Sequence, residues 1–511
     1  MRVLDEAPLL STKSIRMGYL LSLNLDVLVY LITFIPSDDL LRLSYVCRLT
    51  YTISSPQLLR FVTLRGVEKV ITLWRCVSAH TPNRGSFIRS LHISNVFPYG
   101  SDINVASRGT NWCRALICLL QNTQNLYDFS IFDLKELRIP DQIREEISRQ
   151  LSTLRSLQIL QLDNHKKSLP CFITNMLSRP QEMILRCTDY KGNVSLELPF
   201  PSSRLRKLTL SGYSLFDLSP DFQCQALEEL RCTRCTLYFP CLVQAFPNLR
   251  TLLLSGTNDF RRKPGPLNCH AIKNYGNRRW HSLDHLIANI WSADNVANYY
   301  SDHEDDVASI PIRWVEILEI SAIESEYDTR DLARTLKKLQ PTVVSLSIDP
   351  SNISDLPSYF ITSLYSAKVL RVTLVEEAHI EDIVNFLSNL QTHFSSLKNL
   401  IAFCLCIRRK YNPVSVDEVD GPEARFQVPD IIAHAIPSTK YIGLDLSAFP
   451  DVRPIWFRVS RTPSVGDDEE LSASNSRLSD VTSDIVTSIL LKTRTEKDAV
   501  YEVESLLASW R

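Results

Sequence analysis

Four cysteines crowd into one stretch of the chain, Cys224, Cys232, Cys235 and Cys241, and a Cys-x-x-Cys is the commonest sequence sign of a zinc site. The flanking spacing, C-x7-C-x2-C-x5-C, is poor for paired zinc knuckles. Cys232 and Cys235 also fall where a repeat pattern expects inward-facing residues, so the expectation is a buried pair of thiols and no metal. Histidine number is 10, with no HExxH and no HxH. No GxSxG is present to seat a nucleophilic serine, and no GxxxxGK[ST] or GxGxxG to cradle a phosphate. A Ser/His/Asp triad needs only proximity in space, so the sequence neither supplies nor excludes one. The expectation is therefore no enzyme, no cofactor and no metal.

Composition narrows the classes further. The chain has 511 residues, 44% hydrophobic and 22% charged, with a formal net charge of −1. That length exceeds one ordinary core and points to several domains or an elongated repeat. The balanced charge offers no basic field for nucleic acid. Its 13 cysteines are scattered, without a framework spacing, and read as reduced thiols. Residues Gly18 to Ile35 are mostly apolar, but Asn24 and Asp26 interrupt them, and a mid-bilayer Asp costs about 2.5–3.5 kcal/mol. Neither a membrane span nor a signal peptide fits, and a cytoplasmic or nuclear location is expected.

The apolar stretch reads instead as a helix. Asn24 can cap it, Asp26 sits in its first turn, and Pro36 closes it. Leu25, Leu28, Ile32 and Ile35 mark one face; Val27, Val29, Leu31 and Phe34 fall largely around the rest. A helix apolar all round must be covered all round, so one side wants a partner. Ser37 is a cap candidate for a second helix, with Leu40, Leu43, Val46 and Cys47 as its stripe. Pro56 is placed to start a third. Three short helices are predicted over 23–64.

These residues resemble the F-box motif, which runs roughly L-P-x-E-[LV]-L-x-x-I-[LF]-x-x-L and then D-L-x-x-L-x-x-V-[CS]-[KR]. Leu23, Asp26, Val27, Leu28, Leu31, Ile32 and Ile35 match the first half; Asp39, Leu40, Leu43, Val46, Cys47 and Arg48 match the second. The likeness covers about forty residues and departs from the family's pattern at Asn24, Thr50 and Leu59. It implies binding to the Skp adaptor of a cullin-containing (SCF) ubiquitin ligase, through Leu23, Asn24, Leu25, Val27, Leu28, Leu31, Ile32, Ile35, Leu40, Leu43 and Val46.

The rest of the chain repeats the pattern LxxLxLxx[NC]xL. "LRKLTLSGYSL" from Leu205, "LEELRCTRCTL" from Leu227 and "LRTLLLSGT" from Leu249 are spaced 22 residues apart. Looser copies start at Ile88, Leu126, Leu157, Val315, Val343, Ala367, Leu397 and Tyr441, with a degenerate one at Met183. Each unit reads as one strand with a returning segment behind it, burying its leucines only against its neighbours. Helices are expected in "QIREEISRQLSTL", "LARTLKKL" and "IEDIVNFLSNL". The whole resembles F-box proteins with leucine-rich repeats, in the irregular style common among fungal members.

The expected fold is therefore an α/β repeat. A three-helix F-box (20–65) and a helical linker (66–87) precede a leucine-rich-repeat solenoid, or horseshoe (88–459). Loops interrupt the solenoid at 256–280 (basic) and 299–309 (acidic). A Ser-rich acidic disordered linker (460–480) and a C-terminal helical segment (481–511) follow. The resemblance implies the substrate-recognition subunit of an SCF-type E3 ligase, binding a Skp adaptor and an unknown target protein, without nucleic acid or membrane. The alternative is a repeat scaffold whose N-terminal helices are an internal cap, buried against residues 65–120.

Overall fold

The computed structural model describes residues 23–79, 84–94, 106–132, 141–165, 179–187, 194–195, 204–215, 218, 222–259, 279–301, 312–320, 326–348, 357–375, 380–408, 429–445 and 455–459. The 460–480 and 481–511 segments, and the interiors of both expected loops, lie outside them. The chain divides into two compact units, residues 1–214 and 215–511.

The first unit opens with three short helices: α1 (Leu25–Ile32), α2 (Ser37–Ser44) and α3 (Arg48–Leu58). Asn24 caps α1 as expected, its side chain accepting from the Asp26 N–H at 3.0 Å. Two start signals fall elsewhere than the sequence placed them. Ser37 is the first residue inside α2, and the cap position belongs to Pro36. Pro56 lies inside the last turn of α3; that helix starts eight residues earlier, where the Cys47 N–H donates to Thr50 Oγ1 at 3.0 Å. A proline so near the C-terminus removes one intrahelical bond of a helix that is about to end. Ile32, Leu40 and Leu43 form the centre of the bundle, with Ile35, Ile53 and Leu58 against them.

The parallel sheet begins earlier than expected. Phe61–Arg65, placed by sequence with the helices, is strand β1 and pairs in parallel with β2 (Ser90–Ser94). Only Leu64 of β1 is buried, so its alternation is faint in the sequence. Parallel pairing continues through β3 (Asp128–Ile131), β4 (Ile159–His165), β5 (Glu182–Cys187) and, past the two-residue β6 (Val194–Ser195), to β7 (Lys207–Ser211). β8 (Tyr213–Ser214) pairs with β6. Behind the strands lie α4 (Val67–Ser78), α5 (Ala106–Asn122) and α6 (Asp141–Thr153).

The second unit repeats the plan. β9 (Glu229–Thr233), β11 (Thr251–Ser255) and β13 (His285–Ala288) lead to β14 (Trp314–Ile320) and β15 (Val343–Ile348). β16 (Val369–Val375), β17 (Ala402–Arg408) and β18 (Tyr441–Asp445) follow, all in parallel. β19 (Ile455–Arg458) runs antiparallel to β18. The two-residue β10 (Thr236–Leu237) and β12 (Asn258–Asp259) pair beside the main strands. The helices here are α7 (Phe239–Ala245), α8 (Ile290–Ser301), α9 (Glu326–Leu339), α10 (Ser358–Ser363) and α11 (Ile380–Phe394). Residues at the edges of both expected loops belong to the core. Trp280 is fully buried and donates from Nε1 to the Phe246 carbonyl at 2.8 Å, while Tyr299 and Tyr300 are buried residues of α8.

The leucines at the pattern positions of the three regular copies are buried: Leu205, Leu208, Leu210 and Leu215; Leu227, Leu230 and Leu237; Leu249, Leu252 and Leu254, while Leu253, on the alternate face, is half-buried. After the strand of each copy comes a left-handed residue, at Gly212 (φ 77°), Arg234 (φ 51°) and Gly256 (φ 56°). A Cβ on Gly212 would lie 2.6 Å from the Cys187 carbonyl oxygen, whereas one on Gly256 would meet only the Arg234 side chain at 3.6 Å. Gly256→Ala should therefore lower stability by the backbone term alone, about 1–2 kcal/mol, and Gly212→Ala by more, roughly 2–4 kcal/mol. Urea unfolding of the two variants checks that order.

Candidate functional site

Cys232 and Cys235 are buried in the second unit. Hydrogen bonding to Cys235, together with complete burial, pushes the Cys232 thiol well above its usual pKa, and Cys235 Sγ donates to the Thr233 carbonyl at 3.4 Å. Both are buried core thiols. Among the described residues no three His, Cys, Asp or Glu side chains converge to hold a metal ion, and no described cysteine is in a disulfide.

A Ser/His/Asp cluster does occur, on β2 and β3. Ser90 Oγ donates to Asp128 Oδ2 at 3.0 Å and lies 2.7 Å from His92 Nε2; His92 Nε2 is 3.1 Å from Asp128 Oδ2; and His92 Nδ1 bonds Ser130 Oγ. The order Ser130–His92–Asp128 has the elements of a triad. Yet Ser130 is 0% exposed and Ser90 is buried, so neither hydroxyl presents itself to an acyl group. The cluster ties neighbouring strands together.

A different surface stands out, and it lies on the helices. Leu28 and Ile32 turn inward and are 3% exposed, and Leu40 and Leu43 are buried with them. These four, expected on the partner-facing surface, are instead the core that holds it up. Ile35 is half-buried. Leu23, Asn24, Leu25, Val27, Leu31 and Val46 are exposed. Val29, Tyr30, Phe34, Leu41, Tyr45, Leu49 and Tyr51 join them, residues not named from the motif. Tyr30 (65% exposed) and Phe34 (67%) meet edge-to-face with ring centres 5.0 Å apart. An eight-residue helix resting on a neighbour along one line buries only that line, and every other apolar position is left in water. So dense a set of exposed apolar side chains exceeds the scattered few that need no explanation.

The repeat strands offer the second surface. Side chains alternate between the buried row and the opposite face. That face carries a charge mosaic in which several members are already paired: Arg186 with Asp163 at 3.0 Å and Arg231 with Glu229 at 2.5 Å. Lys207 and Glu229 lie on strands; Arg206 and Glu228 immediately precede them.

Comparison with known proteins adds little. No protein family matches the sequence, and no curated protein does. Among solved structures, the leucine-rich repeat-containing protein LegL7 from Legionella pneumophila aligns over 75% of this chain and 89% of its own, at 13% identity and a TM-score of 0.29. So low a score decides nothing, and the α/β repeat rests on the strands and helices themselves. Among the described residues no helix is long and apolar enough to cross a membrane.

The inside and outside of α1 make opposite predictions. Leu28→Asp puts a charge into the bundle core and should cost several kcal/mol, lowering the melting temperature and the helical circular dichroism. Tyr30→Asp changes an exposed position and should leave both within error of the parent.

Proposed function

We propose that this chain is the target-recognition subunit of an SCF-type E3 ubiquitin ligase. Helices α1–α3 dock a Skp-type adaptor, and through it cullin; the repeats hold a target protein. The observation that carries the reading is the exposed apolar surface of α1 and its neighbours, on a segment whose residue order resembles the F-box motif. The scaffold alternative expects α1 to be covered by residues 65–120, but Leu25, Val29, Tyr30 and Phe34 stay in solvent.

In this reading the chain performs no chemistry. It raises the effective concentration of a bound target's lysines at the ligase core, and catalysis belongs to other subunits. Covering about five of the exposed side chains yields roughly 8–15 kcal/mol gross. Association and ordering take back about 4–15 kcal/mol. A stable complex therefore needs most of the patch, and removing one anchor is felt.

The test is capture of a purified Skp-family adaptor by the full chain. Removing the N-terminal 66 residues would also delete strand β1, so point variants are the cleaner comparison. Tyr30→Asp and Leu25→Asp should each weaken capture at least roughly tenfold, about 1.4 kcal/mol, with unchanged circular dichroism. Parent-like capture by both folded variants, or no capture by the parent, removes the ligase role.

A further inference from the structure

The first strand of the first unit leaves one edge open. β1 begins the strand order of its sheet: β2 pairs with one side of it, and no described strand lies on the other. The Arg60 carbonyl accepts from Ser90, and the Gly66 N–H donates to the Ser94 carbonyl at 3.0 Å. Backbone groups of a strand alternate from side to side, so those of Val62 and Leu64 also face β2. The N–H and C=O groups of Phe61, Thr63 and Arg65 therefore point to the open edge. Their side chains share one face and all three are exposed, Phe61 to 64%. Native edges are commonly blunted by a proline, a bulge or a covering segment. β1 has no proline, its five residues pair with β2 without a shift of register, and Phe61 stands in solvent.

We propose that β1 is the seam of a symmetric dimer, pairing antiparallel with β1 of a second copy of this chain about a two-fold axis at Thr63. The strand is self-complementary in that register. Thr63 meets Thr63 of the second copy, and Phe61 meets Arg65 of the second copy on both sides of the axis, each pair exchanging two N–H···O bonds. Opposed threonines hydrogen-bond and aromatic rings attract cations, so both kinds of pair are favourable. Phe61 already serves as such a ring: the Arg60 guanidinium lies over it, 5.2 Å from its centroid. Any extended peptide could use the backbone edge. A second copy is selected because each terminal charge lands on a ring and not on another charge. Slipped by two residues, the strands lose both Phe61–Arg65 contacts.

The seam is short. Standard interfaces use about 20–30 residues a side, so one strand from each copy makes a weak dimer that fills only at high protein concentration. Each Phe61 ring then lies near two guanidiniums, Arg60 of its own copy and Arg65 of the other. Salt screens that like-charge repulsion, so added salt should tighten the dimer, whereas a seam built on ion pairs would loosen. The seam uses no residue of the α1 surface, and it stands or falls apart from adaptor binding.

Sedimentation velocity of the full chain across the micromolar range is the test. A monomer–dimer equilibrium is expected, with the amides of Phe61, Thr63 and Arg65 exchanging more slowly as the dimer fills. Thr63→Pro removes an outward N–H that β2 does not use, and Thr63→Lys sets two cations face to face at the axis. Each should weaken the dimer at least roughly tenfold, about 1.4 kcal/mol, with circular dichroism and melting like the parent. The lysine variant alters only an exposed side chain and decides the matter if proline disturbs β1. Phe61→Ala and Arg65→Ala each remove both cross-strand contacts, so the two together should be little weaker than the worse of them alone. A chain that stays monomeric at every concentration overturns the proposal, as does a dimer that Thr63→Lys leaves intact. A dimer abolished by Tyr30→Asp and spared by Thr63→Lys puts the contact on α1 and overturns it too. Effects of Phe61→Ala and Arg65→Ala that simply multiply overturn the register.

Discussion

One hydrogen-bond arrangement fixes the register of both units. The carbonyl of the residue just before each strand accepts two consecutive N–H groups of the next strand. In the first unit Arg60 receives Arg89 and Ser90, Arg89 receives Tyr127 and Asp128, Tyr127 receives Gln158 and Ile159, and the series runs on through Gln158 and Gln181. In the second, the same bond recurs at Glu228, Arg250, Asp284, Arg313, Thr342, Lys368 and Ile401, at 2.7–3.2 Å. A one-residue slip would turn every buried leucine outward. The forked bond makes that slip cost two amides per strand.

Side chains reinforce the same edge. The residue before the first buried position of a unit bonds back to the preceding turn. Asn125 donates to the Ser86 carbonyl at 2.9 Å, Asn248 to Gln225 at 2.8 Å and Asn399 to Tyr365 at 2.9 Å; Ser156, Ser282 and Ser438 do the same with their hydroxyls. With the register held by backbone and turns, the outward-facing strand residues are free to vary. This is the property a recognition surface needs, and it explains why those residues form no readable motif.

Much of the repeat was legible because its signal is burial at fixed spacing. The copies at Ile88, Leu126, Leu157, Leu205, Leu227 and Leu249 each fall on a strand, and the degenerate "MILRC" is β5. The helices at 141–153, 326–339 and 380–394 were visible from their own periodicity. β1 was not, because a strand with one buried residue has almost no pattern and the motif before it pulled it into the helical segment. Nor was the antiparallel β19 foreseen, since its partner is set by topology and not by spacing. On α1, spacing named four positions as one face but could not say how wide the supporting contact would be. Packing on α3 buries two of them and returns Leu25 to solvent. The aromatic pair Tyr30–Phe34, the most exposed large apolar residues over 25–35, falls outside the motif; periodicity already set Phe34 away from the packed face, and the packing adds Tyr30.

The proposed ligase role depends on that helical surface being an interface. Amide hydrogen exchange of the full chain, alone and with saturating Skp-type adaptor, reads it directly. Adding the adaptor should slow exchange across 25–58 and leave the strands of the second unit little changed. Unchanged exchange across 25–58, with the adaptor folded and in excess, would contradict it and leave a repeat protein whose exposed helices serve some other partner.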